Sequence, residues 1–559
     1  MKGFGKVSSD EEKRLKIRLA RKIEKALALH SKGAIDKAYI QYNQIIRSGI
    51  EDPRVYSALG LIALQNSEVE KSIKYNLKSI AINNKYLAGY LNLGVIYCQI
   101  GNYEEAEKNT RKAIKIDPRN TQSILNLGEI LLKMLKLGEA EEEVQKAINL
   151  SPDSIEAYYI LSKILKEKEE YYEAERVIKK AISISPKLST SYYLLHEIYL
   201  QMGDLENAKE YLYKTIDLNP NFASAYYSLS RFYNKEKDNV IYKRILEMNI
   251  SEIKVIKDKI SILFAKSNIL HEKNKYKDSA NFLKKANDLK LSIYNSSASQ
   301  LIEISKDNLI KTNSLKCYDN SDSKEIKECI FIVGMPRSGS TLIESILYTN
   351  ENVIDLGERP LVEMSLKRIF EIKDKSNHCE SLYKLYIKER NKFVRDNYIS
   401  TDKYLYNYLY LGNILNSFPN AKIIHSIRNP LDNILSIYRA NFQEGVRFSS
   451  SLNDCARIYV NHLKTIEEYK KRFPGKIYSI NYDLLVTIPD MEIRKLIKWL
   501  DWEWDDRYLS PHQVNRNIKT ASVVQVRSPI NSSSINGWKQ YRKMLEPAIN
   551  ELRKNKLIK

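Results

Sequence analysis

At 559 residues the chain is long enough for two or more domains, each with its own core. Lys+Arg exceed Asp+Glu by 90 − 69 = 21, and this charge is dispersed along amphipathic segments such as Lys108 to Lys115. With no zinc-finger, RNA-recognition or basic-zipper pattern, it reads as a solvated surface focused locally on an anionic ligand, not on nucleic acid. Cys98, Cys317, Cys329, Cys379 and Cys455 are odd in number, far apart and without metal-ligand spacing, so a reduced, cytoplasmic setting is expected. The stretch Met1 to Arg21 lacks the apolar core of a signal peptide, and no run approaches 18 apolar residues, so no membrane span is expected.

Residues 1–19 read as a charged N-terminal tail. From 20 to 293 the chain is periodic. Pro118, Pro152, Pro186 and Pro220 recur every 34 residues, as do Ala106, Ala140, Ala174 and Ala208. Tyr90, Tyr158, Tyr192 and Tyr226 keep the step with Ile124 in the gap, and Gly60, Gly94 and Gly128 extend it upstream. Each unit reads as two helices, one with the aromatic and glycine, the next with small residues that permit close approach, closed by proline. The pattern resembles the tetratricopeptide repeat: about six units up to residue 223, a degraded one near Phe222 to Lys237, and one more at Ile260 to Leu289. Tyr and Leu stripes read as core packing. The curved array that results is expected to bind a protein partner, the alternative being a pure dimerisation or spacer element. Residues 294–328, with several Ser, Asn and Lys, read as a linker.

Residues 329–559 alternate strands and helices, which argues a mostly parallel sheet. Cys329 to Val333 reads as a strand running through Gly334, Pro336 and Gly339 into a helix from about Ser340. Such a turn aims backbone N–H groups and a helix N-terminus at one anion. The spacing Gly334-x-x-x-x-Gly339-Ser340-Thr341 nearly meets the nucleotide P-loop, but Ser340 stands where its lysine belongs, and the turn brings Arg337 instead. Further strands, Val353 to Leu356, Ala421 to Ile427 and Lys476 to Asn481, end at Glu358, Arg428 and Tyr482. With Arg337, these four polar groups should converge beyond the carboxyl ends of the strands. Arg428 and Ser436 suit a second anion separate from the first, unless Arg428 merely pairs with Asp432 at i+4.

Gly334-Met-Pro-Arg-Ser-Gly-Ser-Thr341 followed by Arg428-Asn-Pro-Leu-Asp-Asn-Ile-Leu-Ser436 resembles the sulfotransferases that use 3′-phosphoadenosine 5′-phosphosulfate. With Gly357-Glu358, Thr401-Asp402-Lys403, Ile480-Asn-Tyr482, Thr520 to Arg527 and Trp538, it is similar more narrowly to bacterial tetratricopeptide-repeat sulfotransferases and to tyrosylprotein sulfotransferases. The resemblance implies that Arg337, Ser338, Gly339, Ser340 and Thr341 hold the 5′-phosphosulfate and that Arg428 and Ser436 hold the 3′-phosphate. It further implies Glu358 as base, and Lys403 and Arg337 as stabilisers of charge on the bridging oxygen. Tyr482, Ser522 and Arg527 would contact the nucleotide, Ser522 also serving catalysis.

Bland alternatives stand beside these roles: Glu358 could pair with Arg359 or Arg337, Lys403 could be a surface lysine, and Ser522 and Arg527 could be loop architecture. His425, the base type in other sulfotransferases, lies mid-strand and reads as a packed core residue. Ala440 replaces a third arginine found in some relatives, with Arg439 one place earlier, so a third phosphate contact stays open. The expected architecture is an α-solenoid followed by an α/β P-loop-like domain. It would transfer a sulfuryl group to a protein, peptide or saccharide hydroxyl without a metal. An inactive repeat scaffold and a P-loop nucleotide kinase are the competing readings.

Overall fold

The computed structural model describes residues 9–233, 240–312, 328–373, 381–394, 398–418, 420–442, 446–514 and 525–559. It divides into two compact units, 1–194 and 195–559.

The first unit is built of helix pairs: Ser9–Ser31 with Ile35–Arg47, Pro53–Gln65 with Val69–Ile82, Leu87–Gln99 with Tyr103–Ile116, Thr121–Lys133 with Leu137–Leu150, and Ile155–Glu167 with Tyr171–Ile184. The helix Ser9–Ser31 reaches back into residues read from sequence as a tail. The glycines mark close packing inside each pair. A Cβ on Gly94 would lie 2.3 Å from Thr110 Oγ1, and one on Gly128 would lie 2.4 Å from Val144 Cγ2. One repeat later Ser162 takes the same position and donates its hydroxyl to the Ala174 carbonyl at 2.8 Å. The tyrosines are more than filler: Tyr158 and Tyr192 donate their hydroxyls to the carbonyls of Pro152 and Pro186, tying each new helix to the preceding turn. A left-handed residue turns the loop within each pair at the same 34-residue step: Gly33 (φ 75°), Ser67 (62°), Gly101 (79°), Leu135 (57°) and Glu169 (68°).

The second unit begins within the helix Ser189–Met202, whose pair partner is Leu205–Leu218. It continues through Ala223–Ser230, Val240–Glu247 and the pair Ile256–Glu272 and Tyr276–Ile293. The motif persists here: His196 Nδ1 meets the Ala208 carbonyl at 2.8 Å, and Ser267 donates to the Ser279 carbonyl at 3.1 Å. Much of the stretch read as a linker is the helix Ala298–Lys311, which docks on the α/β core through Ser305 against Thr465 (2.7 Å) and Asn308 on the Leu409 carbonyl (3.0 Å).

Five parallel strands follow: β1 (Cys329–Gly334), β2 (Val353–Asp355), β3 (Ile399–Asp402), β4 (Lys422–Ile427) and β5 (Ile477–Asn481), in the order β2-β3-β1-β4-β5. Side chains alternate across β1. Ile330 and Ile332 join Ile424, Ile480 and Leu496 on one face, while Phe331 and Val333 join Tyr386, Ile423 and Ile466 on the other. Ile260, Phe264 and Leu283 of the last repeat pair share an apolar cluster with Ile434, Leu452, Leu545 and Leu552. The terminal repeat helices are thus part of the same core as the domain that follows.

Candidate active site

The chain leaves β1 for one side of the sheet and leaves β4 for the other, so the crevice opens beyond these two strands, where ligands of α/β sheets collect. Gly339 is left-handed (φ 102°), caps the helix Ser340–Leu347, and would place a Cβ only 2.3 Å from the Tyr482 ring, so only glycine fits there. Arg337 is also left-handed (φ 66°), a costly conformation for a residue with a side chain. Three contacts hold this turn from β4 and the helix Pro430–Tyr438. Ser426 donates to the Ser338 carbonyl (2.8 Å), Asn433 to the Pro336 carbonyl (2.9 Å) and Arg428 to the Arg337 carbonyl (3.1 Å).

The predicted residues gather here. The guanidinium of Arg337 donates to Ser436 Oγ (3.2 Å), and that of Arg428 lies 4.7 Å from the Tyr482 ring centre. Arg337 and Ser436, assigned from sequence to different anions, are thus joined by a hydrogen bond. Arg428 does not pair with Asp432. It donates to the Ser534 and Arg337 carbonyls, while Asp432 accepts the N–H groups of Asn536 (2.7 Å) and Trp538 (2.9 Å). Tyr482 and Ser534 hydroxyls meet at 3.0 Å, so the segment around Ser534 straps across both residues. Burial, with the nearby charges of Arg231 and Arg428, pushes Arg337 down to about 10, which still leaves it cationic at neutral pH. Ser338 Oγ and Arg428 Nε are buried without a hydrogen-bond partner, donors of the kind an anion would satisfy.

A second cluster lies at the same edge of the sheet. Lys403, directly after β3, is fully buried, so the surface-lysine alternative is overturned. Its ammonium donates to Glu358 Oε1 at 2.8 Å and lies 3.7 Å from Glu344 Oε2. Its own N–H donates to the Gly357 carbonyl (3.0 Å), which ties the ends of β2 and β3 together. Glu358 does not pair with Arg359, which donates to the Leu356 carbonyl and sits 4.2 Å from the Phe393 ring centre.

The other assignments meet different fates. Arg527 packs its guanidinium against Gly203 and donates to the Gln201 carbonyl (3.2 Å), a contact with a repeat loop. Ser522 lies outside the described residues. Arg439 is buried and donates to His271 Nε2 (2.9 Å), which occupies the group nearest to a third phosphate ligand. His425 is a core residue, its Nε2 2.9 Å from His462 Nε2 and its Nδ1 3.2 Å from Ser479 Oγ, and burial pushes both imidazoles well below their ordinary range. Sequence reasoning missed Glu344, Asn433 and Ser534. Glu344 had a signal, a lone charge in the apolar helix run Leu342-Ile343-Glu344-Ser345-Ile346. Ser534 had none: it meets Arg428 through its backbone carbonyl and Tyr482 through a hydroxyl in a segment with no motif of its own.

Comparison with known proteins finds similarity in both parts of the chain. A tetratricopeptide-repeat model matches residues 88–120, and a second matches 121–154, 155–188 and 189–222. A solved tetratricopeptide repeat protein from Parabacteroides merdae is similar over 50% of this chain and 94% of its own, at 16% identity and a TM-score of 0.36. An uncharacterized protein of Aquifex aeolicus is 35% identical over 242 residues, 40% of this chain and 32% of that protein. A protein-tyrosine sulfotransferase of Drosophila melanogaster is 24% identical over 275 residues, 44% of this chain and 53% of that protein. The chain thus spans about a third to a half of the length of these curated relatives. Residues 329–506 match the sulfotransferase family model, so the chain carries tetratricopeptide repeats ahead of a sulfotransferase-family domain.

Proposed function

We propose that the chain transfers a sulfuryl group from 3′-phosphoadenosine 5′-phosphosulfate to a hydroxyl acceptor, a protein tyrosine or a saccharide. The observation that carries this reading is the convergence of Arg337, Arg428 and Ser436 on the turn between β1 and its helix, where a polyanion would meet two guanidiniums and a helix N-terminus. A dianionic nucleotide end also suits the partnerless Ser338 Oγ and Arg428 Nε. The absence of a P-loop lysine at Ser340 fits a donor that is not a triphosphate.

In this reading Ser338, Gly339, Ser340 and Thr341 hold the 5′-phosphosulfate, and Arg428, Ser436 and Tyr482 hold the 3′-phosphate end. The acceptor oxygen attacks sulfur in line, and the bond from sulfur to the bridging phosphate oxygen breaks. The acceptor proton passes to Glu358, while Arg337 and Lys403 meet the charge that develops on the departing phosphate. Positioning and charge do the catalysis, with no covalent intermediate. The repeats would recruit the acceptor or a protein partner, and a reducing cytoplasm would suit the buried Cys329 and Cys455.

Isothermal titration with adenosine 3′,5′-bisphosphate, with ATP as comparator, tests the donor site. Tight binding of the bisphosphate alone, lost in Arg428→Ala, is the expected result. A preference for ATP with magnesium would sink the reading. With a responsive acceptor in hand, Glu358→Gln should lower kcat by about 10²–10⁴-fold while leaving bisphosphate binding in place.

A further inference from the structure

Lys403 has two carboxylate neighbours of opposite character. Glu358 is 45% exposed and close, at 2.8 Å, whereas Glu344 is 3% exposed and stands at 3.7 Å. Glu344 is the fifth residue of the helix Ser340–Leu347, whose N-terminus forms the anion cradle. A buried carboxylate just behind an anion site works against binding of the anion and is costly to desolvate, so its place there calls for a compensating cation. Lys403 is that cation.

We infer that Glu344 is a positioning residue, the permanent counter-ion of Lys403 that frees Glu358 to exchange its ion pair for the acceptor's proton. The inference rests on the sulfuryl-transfer reading and on Glu358 as its base. Charge arithmetic makes the case. Asp402, raised to about 7 by burial and by Glu344, and the Tyr406 phenol, raised by burial and by Glu358, face the same groups and stay neutral on the acid side. Lys403, Glu344 and Glu358, all ionised, then sum to −1, and protonating Glu358 brings the sum to zero. Without Glu344 the pair begins at zero and protonation leaves an uncompensated ammonium in a fully buried place. Glu344 therefore makes proton uptake by Glu358 the step that neutralises the site. It also keeps the Lys403 ammonium fixed at the end of β3 when Glu358 turns to the acceptor, still available to the bridging oxygen. The geometry assigns the two carboxylates different tasks: the exposed one moves a proton, the buried one holds the lysine.

The test is the pH profile of kcat, using radiolabelled 3′-phosphoadenosine 5′-phosphosulfate with a tyrosine-containing peptide and an oligosaccharide as acceptor probes. Wild type, Glu358→Gln, Glu344→Gln and Glu344→Asp are compared in the full chain. Glu344→Gln is expected to lower kcat at neutral pH at least tenfold and to move the acid limb down by about one pH unit. The KM for the donor should stay within about twofold. Glu344→Asp keeps the charge and should keep the limb at its wild-type position. A Glu344→Gln limb that coincides with wild type overturns the inference, as does an equal displacement in both variants. Those results leave the sulfuryl-transfer reading intact. If wild type transfers nothing to either probe while binding ATP in preference to the bisphosphate, that reading falls and takes the inference with it. Should Glu344→Gln not fold, adding Lys403→Met removes the stranded charge and is expected to restore a folded chain with the wild-type Tm; a double variant that also fails to fold overturns the counter-ion role.

Discussion

Arg337 holds a left-handed backbone that a side chain adopts at a cost of about 1–3 kcal/mol, and three donors from Ser426, Asn433 and Arg428 keep the turn that way. In the proposed reading, this strain beside a cationic cluster serves ligand positioning. Arg337→Lys should therefore fold normally yet weaken bisphosphate binding about tenfold or more by titration, because a lysine cannot reproduce the planar fork. Three other buried groups shape the acid response. His425 and His462 stay neutral in the fold but protonate below about pH 6.5 when unfolded, so each withdraws stability as pH falls, at most about 1.4 kcal/mol per unit. Asp402 acts oppositely. Burial raises it to about 7, so its neutral form favours the fold at low pH and that contribution is lost as pH rises toward 7. Between pH 5 and 6.5 the Tm of His462→Gln should thus depend less on pH than wild type, and that of Asp402→Asn more. The sequence carried Arg337, Arg428 and Ser436 plainly, through spacing. It did not carry the His425–His462 contact, which joins a strand to a helix 37 residues on and leaves no local trace.

At the scale of elements, the 34-residue step predicts helix pairs, and the pairs are there because glycine, alanine and proline act locally. The strand β3 is harder to read. Three of its four residues, Ser400, Thr401 and Asp402, are polar yet buried, Ser400 accepting from Arg390 and Asp402 accepting from Tyr386 and Asn407. No alternation of apolar and polar positions signals a strand of that kind. The helix Ala298–Lys311 escaped for a similar reason, since its apolar stripe is short and its neighbours are rich in Ser and Asn. The left-handed loop position was also hidden, because only Gly33, Gly101 and Gly203 obey the familiar rule while Ser67, Leu135 and Glu169 do not. Leu135→Gly, relieving a left-handed leucine on the surface, should leave the fold unchanged and alter stability by under about 1 kcal/mol in either direction. Gly128→Leu, by contrast, drives atoms into Val144 and should cost about 1–3 kcal/mol in denaturant melts.

For the whole molecule, the compact unit begins at residue 195, well ahead of the matched sulfotransferase segment at 329. Tyr541 bonds both His271 and Ser279 of the last repeat pair at 2.8 and 2.9 Å, and Asn287 donates to the Tyr438 carbonyl at 3.0 Å. A fragment starting at 329 would expose Ile434, Leu452 and Leu552 where Ile260, Phe264 and Leu283 now cover them. It should aggregate on size exclusion, whereas 195–559 should run as a discrete species and bind the bisphosphate.

Repeat arrays are commonly treated as interchangeable parts, with units deleted, duplicated or replaced by a consensus. At Gly203 that freedom ends. Its neighbour is the Arg527 guanidinium, whose Cζ would stand 2.1 Å from any added Cβ. Units four and five carry Leu135 and Glu169 at the equivalent loop, so transplanting either into the sixth place would evict Arg527 and unfasten the segment that leads to Ser534. The sixth unit is therefore a keyed part, and shuffling experiments on this chain should tolerate every exchange upstream of it before they tolerate one there.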